Sequence, residues 1–157
     1  MPDYWQQPEV ITWTQLLLNS YEQLLGKSLI ERTGNPTEEA EKLFFAPLML
    51  LSHDNQANPL LNYGNQTALN LWEMDWETLI KTPSRQTVAD PDTQEQEQRQ
   101  QMLKQVQEHG YMTNYQGIRV TYKGKRMKIT NVTVWNIIDQ NHSYCGQGAT
   151  CIEWYFL

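Results

Sequence analysis

The stretch Arg126-Met127-Lys128-Ile129-Thr130-Asn131-Val132-Thr133-Val134-Trp135-Asn136-Ile137-Ile138 decides the fold. It is rich in Val, Ile, Thr and Trp and contains neither Gly nor Pro, so it reads as one long β-strand. Side chains alternate between the two faces of a strand. Asn131 and Trp135 therefore share a face, and Met127 and Ile129 continue it, which marks that face as the expected core side. A polar Asn among apolar neighbours needs a hydrogen-bond partner once buried. Backbone, water or a ligand could each supply it.

Working outward, Lys123-Gly124-Lys125 is a turn signal with a second strand, Tyr111 to Tyr122, before it. Asp139 to His142 is another turn, and Tyr144 to Trp154 a third long strand. Three long strands joined by tight turns form an antiparallel meander. Earlier in the chain, Leu48 to Ser52 and Leu60 to Tyr63 read as short strands separated by the turn signal Asn58-Pro59. Three helices are expected between the short and the long strands. Asn65 caps a helix over Gln66 to Glu73, and Asp75 caps one over Trp76 to Lys81 that stops before Pro83. Asp90-Pro91 opens the third, which ends at Gly110. Its first half, Thr93 to Gln101, is almost wholly polar, and Met102, Leu103 and Val106 are its docking face. The predicted class is α+β, a five-stranded antiparallel sheet with helices on one face.

The beginning of the chain adds a helix. Trp13, Leu16, Leu17, Tyr21, Leu24 and Leu25 recur at helical spacing over Ile11 to Leu25, with Gly26 as the stop. Thr37 is the expected cap of a further helix over Glu38 to Phe45. Residues 1–35 thus read as a helical extension of a body over residues 36–157. The apolar stripe of the first helix must be covered, either by its own domain or by a second copy of the chain. A homodimer is the expectation on that ground.

With 157 residues the chain fits one domain. Hydrophobic residues make up 39%, and 6 Trp and 8 Tyr argue against disorder, so the mean hydropathy of -0.66 reflects Gln and Asn rather than an unfolded chain. A net charge of -6 makes nucleic acid a poor partner, and Lys123 to Lys128 reads as a solvated turn. The start, Met1-Pro2-Asp3-Tyr4-Trp5, lacks the pattern of a secretory signal. The apolar run Leu43 to Leu51 is broken by Pro47 and falls far short of the ~20 residues needed to span a bilayer. A cytoplasmic protein with no membrane association is expected. Cys145 and Cys151 would lie roughly 20 Å apart on one regular strand, too far to be bridged, and no zinc spacing is present.

Two short strands, a helical middle and a three-stranded meander resemble the PAS plan. Asn62 to Trp72 is similar to the PAS stretch in which a strand meets a capped helix, and Trp76 to Lys81 to the helix that follows. Asp139 to His142 with Cys145-Gly146-Gln147-Gly148 is similar to the last PAS hairpin. The sequence more closely resembles the MEKHLA domain, a PAS-related module found at the C-terminus of plant class III homeodomain–leucine zipper regulators and as stand-alone bacterial proteins. Ser52-His53-Asp54, Asn62-Tyr63-Gly64-Asn65, Pro83-Ser84-Arg85, Tyr115-Gln116-Gly117-Ile118-Arg119 and Asn131 to Asn136 carry that resemblance, which spans about Leu43 to Cys151. It implies a PAS-like fold and a regulatory role. It supplies no ligand and no catalytic residue.

PAS-type folds hold ligands between sheet and helices. The candidate contacts here are Asn131, Trp135, Gln147, Arg85, Arg119, Tyr115 and Trp72. Gln147 lies between Gly146 and Gly148, where a backbone, a bulge or a ligand can approach closely. Arg85 and Arg119 could hold a carboxylate or phosphate, or else pair internally or face solvent. Trp72, Trp76, Trp135 and Tyr115 could line an aromatic pocket or simply fill the core. Residues 82–93 contain no Cys, which argues against a covalent flavin photocycle. His109 beside Gly110 suits the end of a helix better than a haem ligand, so haem is disfavoured and the cofactor stays unknown. No nucleophile–base pattern is visible, so the protein is not read as an enzyme. The expected roles are a sensor that binds a small molecule and signals to a regulatory protein partner, or a ligand-free dimerisation or interaction module.

Overall fold

A computed structural model describes residues 3–89 and 93–157. Helix α1 runs Pro8–Leu25 and α2 Pro36–Phe44, followed by strands β1 Met49–His53 and β2 Leu61–Gly64. Helices α3 Gln66–Trp72 and α4 Trp76–Leu79 and a 3₁₀ turn at Ser84–Thr87 precede the long helix α5, Thr93–His109. The meander is β3 Tyr111–Val120, β4 Arg126–Ile138 and β5 Tyr144–Cys151, and β6 Glu153–Phe156 follows it. The proposed start of α5 at Asp90-Pro91 lies outside the described residues.

The fold is α+β, with one antiparallel sheet of six strands, one more than expected, whose main path runs β2-β1-β5-β4-β3. The caps explain where the helices begin. Asn65 and Asp75 accept the amides of Ala68 and Thr78, as their positions predict. The cap of α2 is Asn35, not Thr37: its side chain accepts from the amides of both Thr37 and Glu38. Pro36 then takes the first helical position, where a missing N–H is harmless. Helix α1 stops at Gly26, whose φ of 74° is a left-handed conformation that glycine adopts without a Cβ clash.

The third long strand is interrupted. β5 pairs with β4 over Thr133 to Ile138, while β6 pairs with Met127 to Thr130 of the same strand. Asn131 of β4 lies beside this break and has a φ of 52°. A left-handed residue in a strand is a bulge that reverses the alternation beyond it. Met127, Ile129, Val132 and Val134 are buried, whereas Asn131 is exposed. Trp135 therefore does not share a core face with Ile129. It points to the opposite side of the sheet.

That opposite side is covered by α1. Leu17, Leu18 and Tyr21 are buried there. The Tyr21 ring meets Trp135 edge-on at 5.0 Å, and the Trp135 Nε1–H donates to the Leu17 carbonyl at 3.3 Å. Trp13 Nε1–H donates to Ser52 Oγ at 2.8 Å, which fastens the helix to β1. Full burial of side chains such as Leu17 and Leu18 is worth about 1.5–3 kcal/mol each. The apolar stripe of α1 is thus satisfied within its own chain, so it gives no ground for a dimer. The sheet carries α3 and α5 on one face and α1 on the other.

Candidate functional site

Between the sheet and α5 lies a cavity of about 70 Å³. Met49 and Leu51 of β1, Ile129, Val132 and Val134 of β4 and Ala149 of β5 form its floor, and Met102 and Leu103 of α5 its roof. Trp72 lines it from the end of α3. Leu61 and Gly148 aside, the walls are polar: Ser52, His53, Ser84, Thr87, Arg99, Tyr115, Arg119 and Gln147.

The two arginines are both buried, Arg99 at 6% and Arg119 at 5% exposure. Arg99 Nη2 donates to Ser84 Oγ at 2.5 Å. Burial and the Arg119 charge push the Arg99 pKa down to about 10. Arg119 donates from Nη2 to Tyr115 Oη and from Nη1 to the Ile118 carbonyl, each at 3.0 Å, and its guanidinium lies 5.6 Å from the centre of the Tyr115 ring. Tyr115, Gly117 and Arg119 alternate along β3. A Cβ at Gly117 would stand 2.6 Å from Arg119 Nη1 and 2.9 Å from Tyr115 Oη, so the bare glycine makes room for their meeting.

His53 ends β1 with its ring buried and its Nδ1 2.9 Å from the Asp54 carbonyl. Since a carbonyl only accepts, Nδ1 carries the proton and the neutral ring leaves Nε2 as an acceptor. Burial lowers the His53 pKa, and the Arg99 charge adds to this against the pull of Asp54. Neither His53 Nε2 nor the Trp72 Nε1–H has a hydrogen-bond partner among the described residues. Gln147 faces the same space and is anchored: its Nε2 donates to the Leu103 carbonyl at 3.0 Å and to Asn136 Oδ1 at 3.2 Å.

The structure thus gathers four of the expected contacts, Trp72, Tyr115, Arg119 and Gln147, around one space. Three stand elsewhere. Asn131 is exposed at the bulge, and Trp135 is on the α1 side. Arg85 is exposed in the 3₁₀ turn, where it borders an outer groove with Arg99, Lys104 and Tyr144. Arg99 and His53 were not among the expected contacts. A signal for Arg99 was present: residues 99, 102, 103 and 106 recur on one helix face.

Among the described residues no cluster of three or more His, Cys, Asp or Glu could hold a metal ion, and no helix is long and apolar enough to cross a membrane. His109 is exposed at the end of α5, away from the cavity. Cys145 and Cys151 are both free thiols.

The family model for the MEKHLA domain matches residues 11–156. The chain belongs to the MEKHLA domain family. The match begins inside α1, so it takes in the helix behind the sheet as well as the PAS-like body. Solved structures similar to this MEKHLA domain agree on the fold. A PAS domain from Colwellia psychrerythraea superposes with a TM-score of 0.60 at 16% identity, covering 73% of this chain and 92% of that one. A light-oxygen-voltage domain from a study with a flavin analogue gives 0.58 at 11% identity, covering 76% and 84%. A variant of Vivid gives 0.58 at 13%, covering 86% and 98%. No curated protein matches this chain at a significant level. The residues present do not provide for a cysteinyl flavin adduct. The cavity lining contains no cysteine, and about 70 Å³ is well below the roughly 300–1,000 Å³ of pockets for drug-sized ligands.

Proposed function

We propose that this MEKHLA domain is a sensory domain that takes a small molecule into the cavity between sheet and α5 and passes the change to a regulatory protein partner. The observation that carries this reading is the set of buried polar groups around the cavity, two of them without hydrogen-bond partners among the described residues. Unpaired buried polar atoms are costly, and a ligand or water relieves that cost. Trp72, Tyr115, Arg119 and Gln147, joined by Arg99 and His53, are the proposed contacts. The output is proposed to run through α5, because Gln147 and Arg99 connect the cavity directly to that helix. The role is regulatory rather than catalytic, in keeping with the family. Residues 36–157 are its proposed body, and residues 1–35 the segment that covers its back. Cytoplasmic residence belongs to the same proposal.

Native mass spectrometry of the protein as purified, followed by a metabolite thermal-shift screen, tests it. A retained small molecule or a stabilising metabolite is the expected result. Absence of both would favour a second reading, a ligand-free dimerisation or interaction module. The small volume of the cavity supports that reading, as does the exposed apolar set Ile152, Tyr155, Phe156 and Leu157. A homodimer would use that edge rather than α1. Light scattering at high concentration, on the wild type and on a Tyr155→Ser, Phe156→Ser variant, checks it.

A further inference from the structure

A buried guanidinium normally has a carboxylate beside it, and this chain follows the rule at Arg32. There Glu22 and Glu39 flank the side chain at 3.0 and 2.9 Å. Arg99 and Arg119 break it. They are more buried than Arg32, yet neither forms an ion pair among the described residues. Their partners are neutral: Ser84, Tyr115 and the Ile118 carbonyl. Glu95 lies close in the fold and accepts from the Ile118 amide at 3.2 Å. Two like charges that repel across one small space, bonded among the described residues only to neutral groups, form an incomplete arrangement. What completes it is negative charge.

The surroundings narrow the class. Guanidinium forks match the two oxygens of a carboxylate. The floor of Met49, Leu51, Ile129, Val132 and Val134 suits a short alkyl chain and not a fully charged phosphate. A volume of about 70 Å³ admits only a few heavy atoms, since one water needs roughly 10–15 Å³ of such space. The outer groove shares His53, Arg99, Leu103 and Gln147 with the cavity. Arg85 and Lys104 also line it, and among the described residues no acidic one does, although the chain carries a net charge of -6. An anion therefore has a basic approach on an acidic protein.

We infer that the cavity is a site for a short-chain carboxylate, held between Arg99 and Arg119 with its alkyl end on the β1–β4 floor. This rests on the reading of the cavity as a ligand site and names the ligand's class.

The test is thermal melting of the full chain at fixed ionic strength in sodium chloride, acetate, propionate, butyrate, nitrate or phosphate. It is run on the wild type, Arg99→Met, Arg119→Met and the charge-retaining Arg119→Lys. Propionate or a close homologue should raise the wild-type Tm by a few degrees at about 50 mM. Both Met variants should lose at least about tenfold in affinity, and Arg119→Lys should lose less. In chloride alone the Met variants should melt at or above the wild type, because they shed an uncompensated buried charge. Met variants that melt well below the wild type in chloride, or fail to fold, would make the arginines structural and overturn the inference. So would arginine-dependent stabilisation by nitrate or phosphate with none by carboxylates. A neutral metabolite that stabilises wild type and Met variants alike would overturn the carboxylate and leave the sensor reading standing. No stabilising solute of any class would remove both.

Discussion

Asn136 and Gln147 face each other across β4 and β5, and the Gln147 Nε2–H donates to Asn136 Oδ1 at 3.2 Å. Each also reaches up to α5. Gln147 donates to the Leu103 carbonyl, and Asn136 Nδ2 donates to the carbonyls of Val106 and Gln107 at 2.9 and 3.2 Å. The last carbonyls of a helix have no partner within it. The Gln107 carbonyl is such an orphan, Val106's also accepts from the Gly110 amide at 2.7 Å and Leu103's stands a turn earlier, so the pair ties the end of α5 to the sheet. Asn136→Ala should therefore destabilise the protein by about 1–3 kcal/mol in urea unfolding. Amides in the last turns of α5 should exchange hydrogen faster while those of β1 keep their protection. Uniform loss of protection across the chain would contradict a local clamp.

Gly148 stands opposite Trp135, and a Cβ at position 148 would lie 2.8 Å from its Cζ2. The indole is fully buried and tied to Leu17, so it cannot retreat. Gly148→Ala should cost about 1–3 kcal/mol by overpacking. A smaller ring in Trp135→Phe should recover part of that loss in the double variant, giving a coupling of about 0.5 kcal/mol or more by urea titration.

At Asn131 the φ of 52° predicts opposite signs for two substitutions. Asn131→Gly should be neutral or stabilising by up to about 1 kcal/mol, and Asn131→Val destabilising by about 1–3 kcal/mol. Neither should alter the response to carboxylates, because the side chain is exposed and away from the cavity. Calorimetry of the two variants with and without propionate checks both statements.

Acid should weaken the α1–α2 junction through Glu39. Its carboxylate is buried and is held down to about 2, from the ordinary 4.5, first by the Arg32 hydrogen bond and then by Gln15 and the amides of Gly34 and Thr33. A carboxylate whose pKa falls on folding stabilises the protein above its unfolded pKa and loses that contribution as pH drops through its folded pKa. The advantage of wild type over Glu39→Gln should thus be full above about pH 5 and shrink towards pH 2. Urea midpoints measured across that range give the comparison.

The two thiols should differ in reactivity. Cys151 is buried and its pKa is pushed up to about 11, chiefly by burial, whereas Cys145 is only half-buried. Iodoacetamide at pH 8 should label Cys145 in the native protein and reach Cys151 only after denaturation, as read by peptide mass spectrometry.

Much of the architecture was legible because it depends on local chemistry. Asn65 and Asp75 cap helices wherever they precede them, Gly26 stops α1, and the β-branched run of β4 could hardly be anything but a strand. What was not legible depends on a single backbone angle. The bulge at Asn131 shifts the phase of β4, so strict alternation from Met127 assigned Trp135 to the wrong side. Asn tolerates the left-handed region better than most residues, but nothing in the neighbouring sequence requires it to do so here. Arg99 escaped notice for a related reason. The first half of α5 reads as a solvated face; the helical spacing of residue 99 to 102, 103 and 106 hints that its charge turns inward, and the tertiary position of Ser84 and β3 shows where it goes. Arg119 and Tyr115 were visible as candidates, but the bare Gly117 that lets them meet gains meaning only once those two side chains are placed over it.

The seating of α1 across the back of the sheet also restricts who can read this domain. The broad flat side over Trp135 is already occupied by 18 residues of the same polypeptide. A visiting protein must either lever that helix away, baring Leu17, Leu18 and the indole, or dock on the other side, where the outer face of α5 is exposed. The back of the sheet can therefore take part in communication only if α1 itself moves.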